Sequence, residues 1–460
     1  MDTGWPDGSW APPQAAAAIA ATIRLPGSKS MTNRALILAA LAQTPTTITG
    51  PLSARDTDLM TRAVVALGSA VELGGPAETG GAATGRAATG RAETGGVAAW
   101  TVTPGRVSGR ASVDVGNAGT VLRFVPPVAA LHTADVEFAG DPRAAQRPVG
   151  ELLAGLRQIG VEIDDDGRGA VPFVVRGRGR VKGGAVTLDA SASSQLVSGL
   201  LLAAPRFDAG LEITHRGGRI PSAPHIAMTT AMLRGAGADV AAYSVNGAGG
   251  VPDFWRVRPG QLAPGTIAVE PDLSNAAPFL AAALVTGGRV TFPDWPATSL
   301  QGADQIIGLL EQMGARWERD ETGVRIEGSG AIHGIKADVR DVNELAPVLS
   351  ALAALADSPS ELTGIGHMRM HETDRLAALA AEIGALGGQV AELPDGLAIQ
   401  PRPLRAGARP FDSHDDHRMV MAAAVLGLVV PGLRITNAAT VAKTFPAFQS
   451  LWQQMLGQAP

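Results

Sequence analysis

Residues 36–50, LILAALAQTPTTITG, read as seven apolar helix formers, a Gln-Thr-Pro break and a β-branched Thr-Thr-Ile-Thr strand closed by glycine. The same order returns in FVPPVAALHTADVEFAG (124–140), LLLAAPRFDAGLEITHRG (200–217), FLAAALVTGGRVTFPD (279–294), LAALADSPSELTGIG (352–366) and AVLGLVVPGLRITN (424–437). The strand anchors Ile48, Val136, Ile213, Val290, Leu362 and Ile435 lie 88, 77, 77, 72 and 73 residues apart. A near-constant period of that kind marks an internal repeat, here of six units.

A second helix follows each strand and stops at a small residue before another strand, as in VVALGSAVEL (64–73) and IGALGGQV (383–390). The sixth, FQSLWQQMLG (448–457), runs out of chain, and Ala20–Leu25 is expected to supply its missing strand. The one long spacing contains TGGAATGRAATGRAETGG, so residues 74–96 are expected to be a mobile loop inserted in a hairpin. Helix and strand alternating with right-handed crossovers predict an α/β (α+β) protein, with the six units grouped three and three. The expected division is a disordered tail over 1–14, an N-terminal domain over 29–269, and a C-terminal domain built from 15–28 plus 270–460. Ligands from both halves and only two chain crossings, near Ser28 and Glu270, predict a hinge.

Composition narrows the function. The chain of 460 residues has 45% apolar but only 4% aromatic residues, with 57 glycines and 32 prolines, so its cores must be built from Ala, Leu, Val and Ile. The absence of cysteine excludes disulfides, thiolate metal sites and a Cys nucleophile, and fits a reducing, cytoplasmic setting. A net charge of −5 gives no reason to expect nucleic acid or an anionic membrane as partner, and no apolar run reaches the ~20 residues of a membrane span. Only four of the 38 basic residues are lysines, Lys29, Lys182, Lys336 and Lys443, which singles out any lysine inside a motif.

Each first helix opens on a polar cluster: Lys29, Ser30 and Arg34; Asn117, Gly119, Thr120 and Arg123; Ser193, Ser194 and Gln195; Ser274 and Asn275; Asn343 and Glu344; Asp415, Asp416, His417 and Arg418. Second helices open on Arg55 and Asp56, Arg143 and Arg147, Ser222 and His225, His371, Glu372 and Arg375, and Lys443 and Thr444. Ser, Thr, Asn and Asp there are ordinary caps. The bases are not, because the helix dipole disfavours a cation at an N-terminus. Several N-termini converging with arginines and lysines describe an anion site.

Other motifs are weaker. Pro26-Gly27-Ser28-Lys29-Ser30 falls short of a nucleotide-phosphate loop, because Ser28 stands where the second glycine is needed. His367 with His371, and His414 with His417, raise a metal site, but Arg375 and Arg418 beside them repel a cation, and no metal is expected. Arg176, Arg178, Arg180 and Lys182 alternate along one strand and read as a solvated hairpin rather than an RNA surface.

Taken together, LPGSKSMTNRALILAALA (25–42), GNAGTVLRF (116–124), GDPRAAQRPVG (140–150), SSQ (193–195), HETDRL (371–376), DDHRM (415–419) and AKTFP (442–446) resemble the 3-phosphoshikimate 1-carboxyvinyltransferase (EPSP synthase) family in order along nearly the whole chain. The resemblance implies a two-domain inside-out α/β barrel, each domain three repeats of a βαβαββ-type unit. It implies joining of phosphoenolpyruvate to the 5-hydroxyl of 3-phosphoshikimate (shikimate 3-phosphate) with release of phosphate, by a cytoplasmic monomer without a cofactor. The related cell-wall transferases acting on UDP-N-acetylglucosamine typically have Lys-Asn where Lys29-Ser30 stands, and usually a loop cysteine.

The resemblance also implies roles. Lys29, Ser30, Arg34, Ser193, Ser194, Gln195, Ser222, Glu344 and His371 would bind 3-phosphoshikimate. Lys29, Asn117, Gly119, Arg123, Arg147, Gln195, Arg375, Arg418 and Lys443 would bind phosphoenolpyruvate. Glu344 would be the base, Glu372 the acid, and Lys29 a catalytic cation near both. A non-catalytic relative is disfavoured by the joint presence of these groups. Glu344 stands where many relatives have Asp, His371 where Lys is frequent, His225 where Tyr is common, and Phe124 where many glyphosate-sensitive relatives have Pro. Gly119 would leave room for glyphosate beside 3-phosphoshikimate.

Overall fold

The computed structural model of the chain describes residues 8–74, 98–105, 109–245, 251–321 and 323–458. The low-complexity stretch expected to form a loop lies, from Gly75 on, outside the described residues. The six units carry helices α1 (Lys29–Leu41) and α2 (Arg55–Ala66), α3 (Gly119–Ala129) and α4 (Gly150–Gln158), α5 (Ser194–Ala203) and α6 (Ala223–Gly235), α7 (Ala277–Thr286) and α8 (Ala303–Gln312), α9 (Ala346–Ala354) and α10 (Arg375–Ala385), and α11 (His417–Gly427) and α12 (Phe448–Met455).

Beyond its polar opening turns, the first helix of each unit is largely apolar and is buried accordingly: every residue of α3, α9 and α11 is buried. Their small side chains let backbones approach. At Gly199 of α5 a Cβ would lie 2.1 Å from the Arg123 carbonyl of α3, so only glycine permits that crossing. The second helices are amphipathic, with α2 burying Asp56, Thr57, Leu59, Met60, Ala63 and Val64 along one stripe.

Among the described residues, five four-stranded sheets share one topology. A leading strand pairs parallel with the strand after the first helix, which pairs antiparallel with the second arm of a hairpin, as in Lys336–Asp338, Ser360–Thr363, Gly396–Gln400 and Gln389–Leu393. In the first unit the leading strand is Thr266–Ala268, so Ile48 faces both Ile267 and Trp100, and the third unit's exit closes a ring onto the first.

Two terminal expectations are corrected. Ala20–Thr22 pairs parallel with Arg289–Phe292 and leads the fourth sheet, not the sixth. The sixth unit is reduced to single bridges, Phe411 parallel and Trp10 antiparallel to Ile435. Trp10 therefore occupies a hairpin-arm position in a segment expected to be disordered. It is 6% exposed, exchanges hydrogen bonds of 2.9 and 2.7 Å with Ile435, and meets the Phe448 ring edge-on at 6.3 Å. A tryptophan that buries an apolar ring gains more than the free chain's entropy opposes.

Two separate apolar clusters form. One runs from Met31 to Leu262, and the other joins Trp10, Ile19 and Ile23 to residues between Leu273 and Met455. The chain passes between them side by side, with Gly27 bridged to Pro271, Ser28 N donating to Glu270 O at 2.8 Å and Asp272 N to Pro26 O at 2.8 Å. Gly27 is obligatory here, because a Cβ would sit 2.0 Å from the Gly50 carbonyl.

Candidate active site

Side-chain caps set the positions of the charged groups. Ser28 caps α1, Ser193 caps α5, Asp374 caps α10 and Asp416 caps α11, each accepting from a backbone N–H of the first turn. Lys29, Arg375 and Arg418 lie one or two residues inside those caps. Two small adjoining cavities, of ≈ 50 and ≈ 40 Å³, open among these turns, and both are lined by Lys29, Glu344 and Arg418. Gly119, Arg123, Arg147, Ser193, Gln195, His371, Glu372 and Arg375 line the first, and Ser30, Ser222 and His225 line the second.

Groups from both clusters meet across this space. Glu372 lies 3.2 Å from Lys443, 3.1 Å from Arg375 and 3.8 Å from Arg147. Lys443 also donates to the Asn117 carbonyl at 3.3 Å, and Arg147 donates to the same carbonyl at 2.6 Å. Asp416, fully buried, takes a two-pronged contact from Arg375 at 2.7 and 3.0 Å, which fixes that guanidinium. Lys29 lies 3.4 Å from Asp56. Arg418 reaches Ser274 Oγ at 2.6 Å and Glu344 at 3.5 Å.

Five cationic and three carboxylate side chains line the first cavity, an excess of two positive charges that suits a small polyanion. Burial alone would lift the carboxyl of Glu372, yet Lys443, Arg147 and Arg375 hold it well below the ordinary carboxylate range. Against the same burial, His225, Arg418 and Lys29 bring Glu344 down to about 2. Burial would lower the Lys29 ammonium, but Asp56, Glu372 and Glu344 outweigh it and keep Lys29 charged. Burial, reinforced by Arg375, pushes His371 well below its ordinary value, so the imidazole is neutral. It lies with Nδ1 3.2 Å from Arg375 Nη1, the contact of an accepting ring nitrogen with a guanidinium donor.

Not every candidate faces the cavities. Arg34 lines neither: its guanidinium donates to Thr229 Oγ1, the Ser30 and His225 carbonyls and Ser198 Oγ, and lies 5.0 Å from the centre of the buried Phe124 ring. Ser194 is buried in the first turn of α5, and Asn117 and Lys443 stand behind Arg147 and Glu372 rather than on the cavity wall. Asp56 and His417 do line the first cavity and were not among the expected site residues. Both belong to the helix-start clusters, which was the available signal. His367 and His371 lie ring to ring at 5.4 Å, and among the described residues no group of three or more His, Asp or Glu is arranged around a metal position.

These features define a mixed α/β protein with a cationic cleft and two ionised carboxylates at its centre. Residues 13–452 match the family model described as EPSP synthase (3-phosphoshikimate 1-carboxyvinyltransferase). A 3-phosphoshikimate 1-carboxyvinyltransferase of Kocuria rhizophila is 46% identical over 99% of this chain and 97% of its own. Two structures of EPSP synthase from Acinetobacter baumannii share the fold, with TM-scores of 0.73 and 0.72 at 24% identity, covering 98% and 97% of this chain and 98% of each of theirs. The chain belongs to the EPSP synthase family. No helix among the described residues is long and apolar enough to cross a membrane.

Proposed function

We propose that this chain transfers the enolpyruvyl group of phosphoenolpyruvate to the 5-hydroxyl of 3-phosphoshikimate, giving 5-enolpyruvylshikimate 3-phosphate and phosphate. The observation that carries the reading is the sharing of Lys29, Glu344 and Arg418 by two adjoining cavities, since two substrates that react must meet where their sites join. Phosphoenolpyruvate occupies the cavity of Arg123, Arg147, Arg375 and Glu372, with Asn117 and Lys443 behind it. 3-Phosphoshikimate occupies the side of Ser30, Ser222 and His225, reached by Ser193, Gln195 and His371, with Ser194 behind them.

In the addition step the 5-hydroxyl loses its proton to Glu344 as its oxygen bonds to C2 of phosphoenolpyruvate, and Glu372 delivers a proton to the methylene carbon. In the elimination step that carbon returns its proton to Glu372, the C2–O bond to phosphate breaks, and the proton held by Glu344 leaves with the phosphate. Glu372 must therefore acquire a proton first. Substrate carboxylate and phosphate, by drawing on Lys443, Arg147 and Arg375, relieve the charges that hold it ionised. Lys29, kept charged beside both carboxylates, stabilises the anionic intermediate.

The same reading takes 29–269 and 15–28 plus 270–460 as two domains, each a three-unit inside-out barrel. The two apolar clusters and the paired crossings support it. Because both sides of the cleft come from one chain, the enzyme works as a monomer, and a chain without cysteine suits the cytoplasm. Phosphate release from phosphoenolpyruvate, measured with 3-phosphoshikimate and separately with UDP-N-acetylglucosamine as acceptor, tests the assignment. Release with the first alone is expected, and release with the second alone would overturn it.

A further inference from the structure

The turn Pro142–Gln146 carries an arginine to which neither the fold nor the proposed chemistry has given a task. Arg143 belongs to the first cluster's side of the cleft, yet its guanidinium reaches across: Nε donates to the His371 carbonyl at 3.1 Å and Nη2 to the Arg369 carbonyl at 3.1 Å, while Nη1 donates to its own neighbour Gln146 at 2.5 Å. The acceptors lie at the end of the short helix Gly366–Met370, where the last carbonyls have no partner in the helix itself. A planar fork spanning the Arg369 and His371 carbonyls, at the negative end of that turn, is a placement that suits arginine.

The position of those carbonyls gives the contact its meaning. The His371 carbonyl is half of the peptide plane that joins His371 to Glu372, so its orientation sets the direction in which Glu372 leaves the backbone. Four residues beyond Arg143, Arg147 meets the carboxylate of the same Glu372 at 3.8 Å. One short turn on one side of the cleft thus holds Glu372 at both ends, the backbone through Arg143 and the side chain through Arg147. Neither hold depends on the sheet or helix contacts within either half.

We propose that Arg143 is a positioning residue that sets the register of the two halves across the cleft and thereby aims Glu372 and His371, without itself touching substrate. The proposal rests on the reading of the cleft as the transferase site. Arg143→Ala is expected to lower kcat about 10²-fold, the cost of misplacing a reacting group by about 1 Å, with KM for both substrates within about threefold of the unmodified chain. Its thermal midpoint is expected to stay unchanged. Millimolar guanidinium, but not methylammonium, should restore about tenfold of the lost rate, because a free planar fork can refill the gap.

Wild-type kcat in Arg143→Ala overturns the proposal, as does a loss of rate that guanidinium leaves unrelieved. Should Arg143→Ala fold poorly, Arg143→Lys serves: it keeps the charge and one of the two bonds, so an intermediate loss of kcat at an unchanged midpoint supports the role and a full rate refutes it. If the unmodified chain releases no phosphate from phosphoenolpyruvate and 3-phosphoshikimate, the reading of the cleft has failed, and Arg143 is judged from small-angle scattering. A larger radius of gyration in Arg143→Ala than in the unmodified chain then upholds the interlobe contact, and equal radii refute it.

Discussion

On the proposed mechanism Lys29 and Glu372 sit at the reacting centre, and their replacement separates function from packing. Lys29→Ala and Glu372→Gln should each lower turnover by about 10² or more while the circular-dichroism spectrum stays native, since both remove a charge at the reacting centre and neither removes core volume. Near-normal turnover in a folded variant would reject the assigned roles. At Gly119 a Cβ would stand 2.7 Å from Arg147 Nη2 and 2.8 Å from Arg123 Nη1, both guanidiniums already tied to fixed partners. Gly119→Ala is therefore expected to cut kcat/KM for phosphoenolpyruvate about tenfold and to weaken competitive inhibition by glyphosate further still. Unaltered constants would remove Gly119 from that site.

Glu344 also links the cleft to stability. Its folded-state value of about 2 lies below its ordinary 4.5, so the ionised group stabilises the native chain above pH 4.5, and that contribution disappears as pH falls from there toward 2. Urea midpoints followed from pH 7 to pH 3 should fall less steeply in Glu344→Gln than in the parent, and parallel curves would count against it. The cations of the cleft were legible in the sequence because a base at a helix N-terminus is locally unfavourable and needs a reason. Asp56 and Asp416 read as ordinary helix-start caps. Their second task appears only beside Lys29 and Arg375, which the fold brings to them.

Among the elements, the six helix–strand units were legible from period and composition, because buried Ala/Leu helices and β-branched strands leave opposite signatures. The destinations of the terminal strands were not. A period reveals that a strand is missing, but pairing is decided by which edge lies nearest in space, and Ala20–Thr22 found the fourth sheet. Trp10 escaped notice because a single bridging residue followed shortly by Pro12 and Pro13 has no periodicity to read. Its role is measurable: Trp10→Ala should lower the stability of the Leu273–Met455 side by about 3 kcal/mol, seen as a reduced urea midpoint, with activity at 25 °C retained. An unchanged midpoint would mean that the arm merely lies on the surface.

For the whole molecule, two apolar clusters joined by two adjacent backbone crossings are the arrangement expected of a hinge, with charged groups in the cleft between them. The two substrates' phosphates and carboxylates should draw those surfaces together. Scattering should show a smaller radius of gyration with 3-phosphoshikimate plus an unreactive phosphoenolpyruvate mimic than with neither, unless the free chain is already as compact. A free chain that is more extended and stays so with both ligands would dismiss the hinge.

The paired crossing at Gly27 and Pro271 also governs the order in which the chain can fold as it is made. The strand Ala20–Thr22 emerges early from the ribosome, but its partner Arg289–Phe292 follows some 270 residues later. At roughly 5–20 residues per second that edge waits on the order of 15–50 s without a mate. The intervening stretch needs no such patience: its ring closes when Thr266–Ala268 returns to Thr46–Thr49, before most of the later half exists. On the proposed two-domain reading, the earlier half is in effect an insertion in the later one and could fold during synthesis, whereas the later half lacks the partner of its own first strand until nearly two thirds of the chain has been translated.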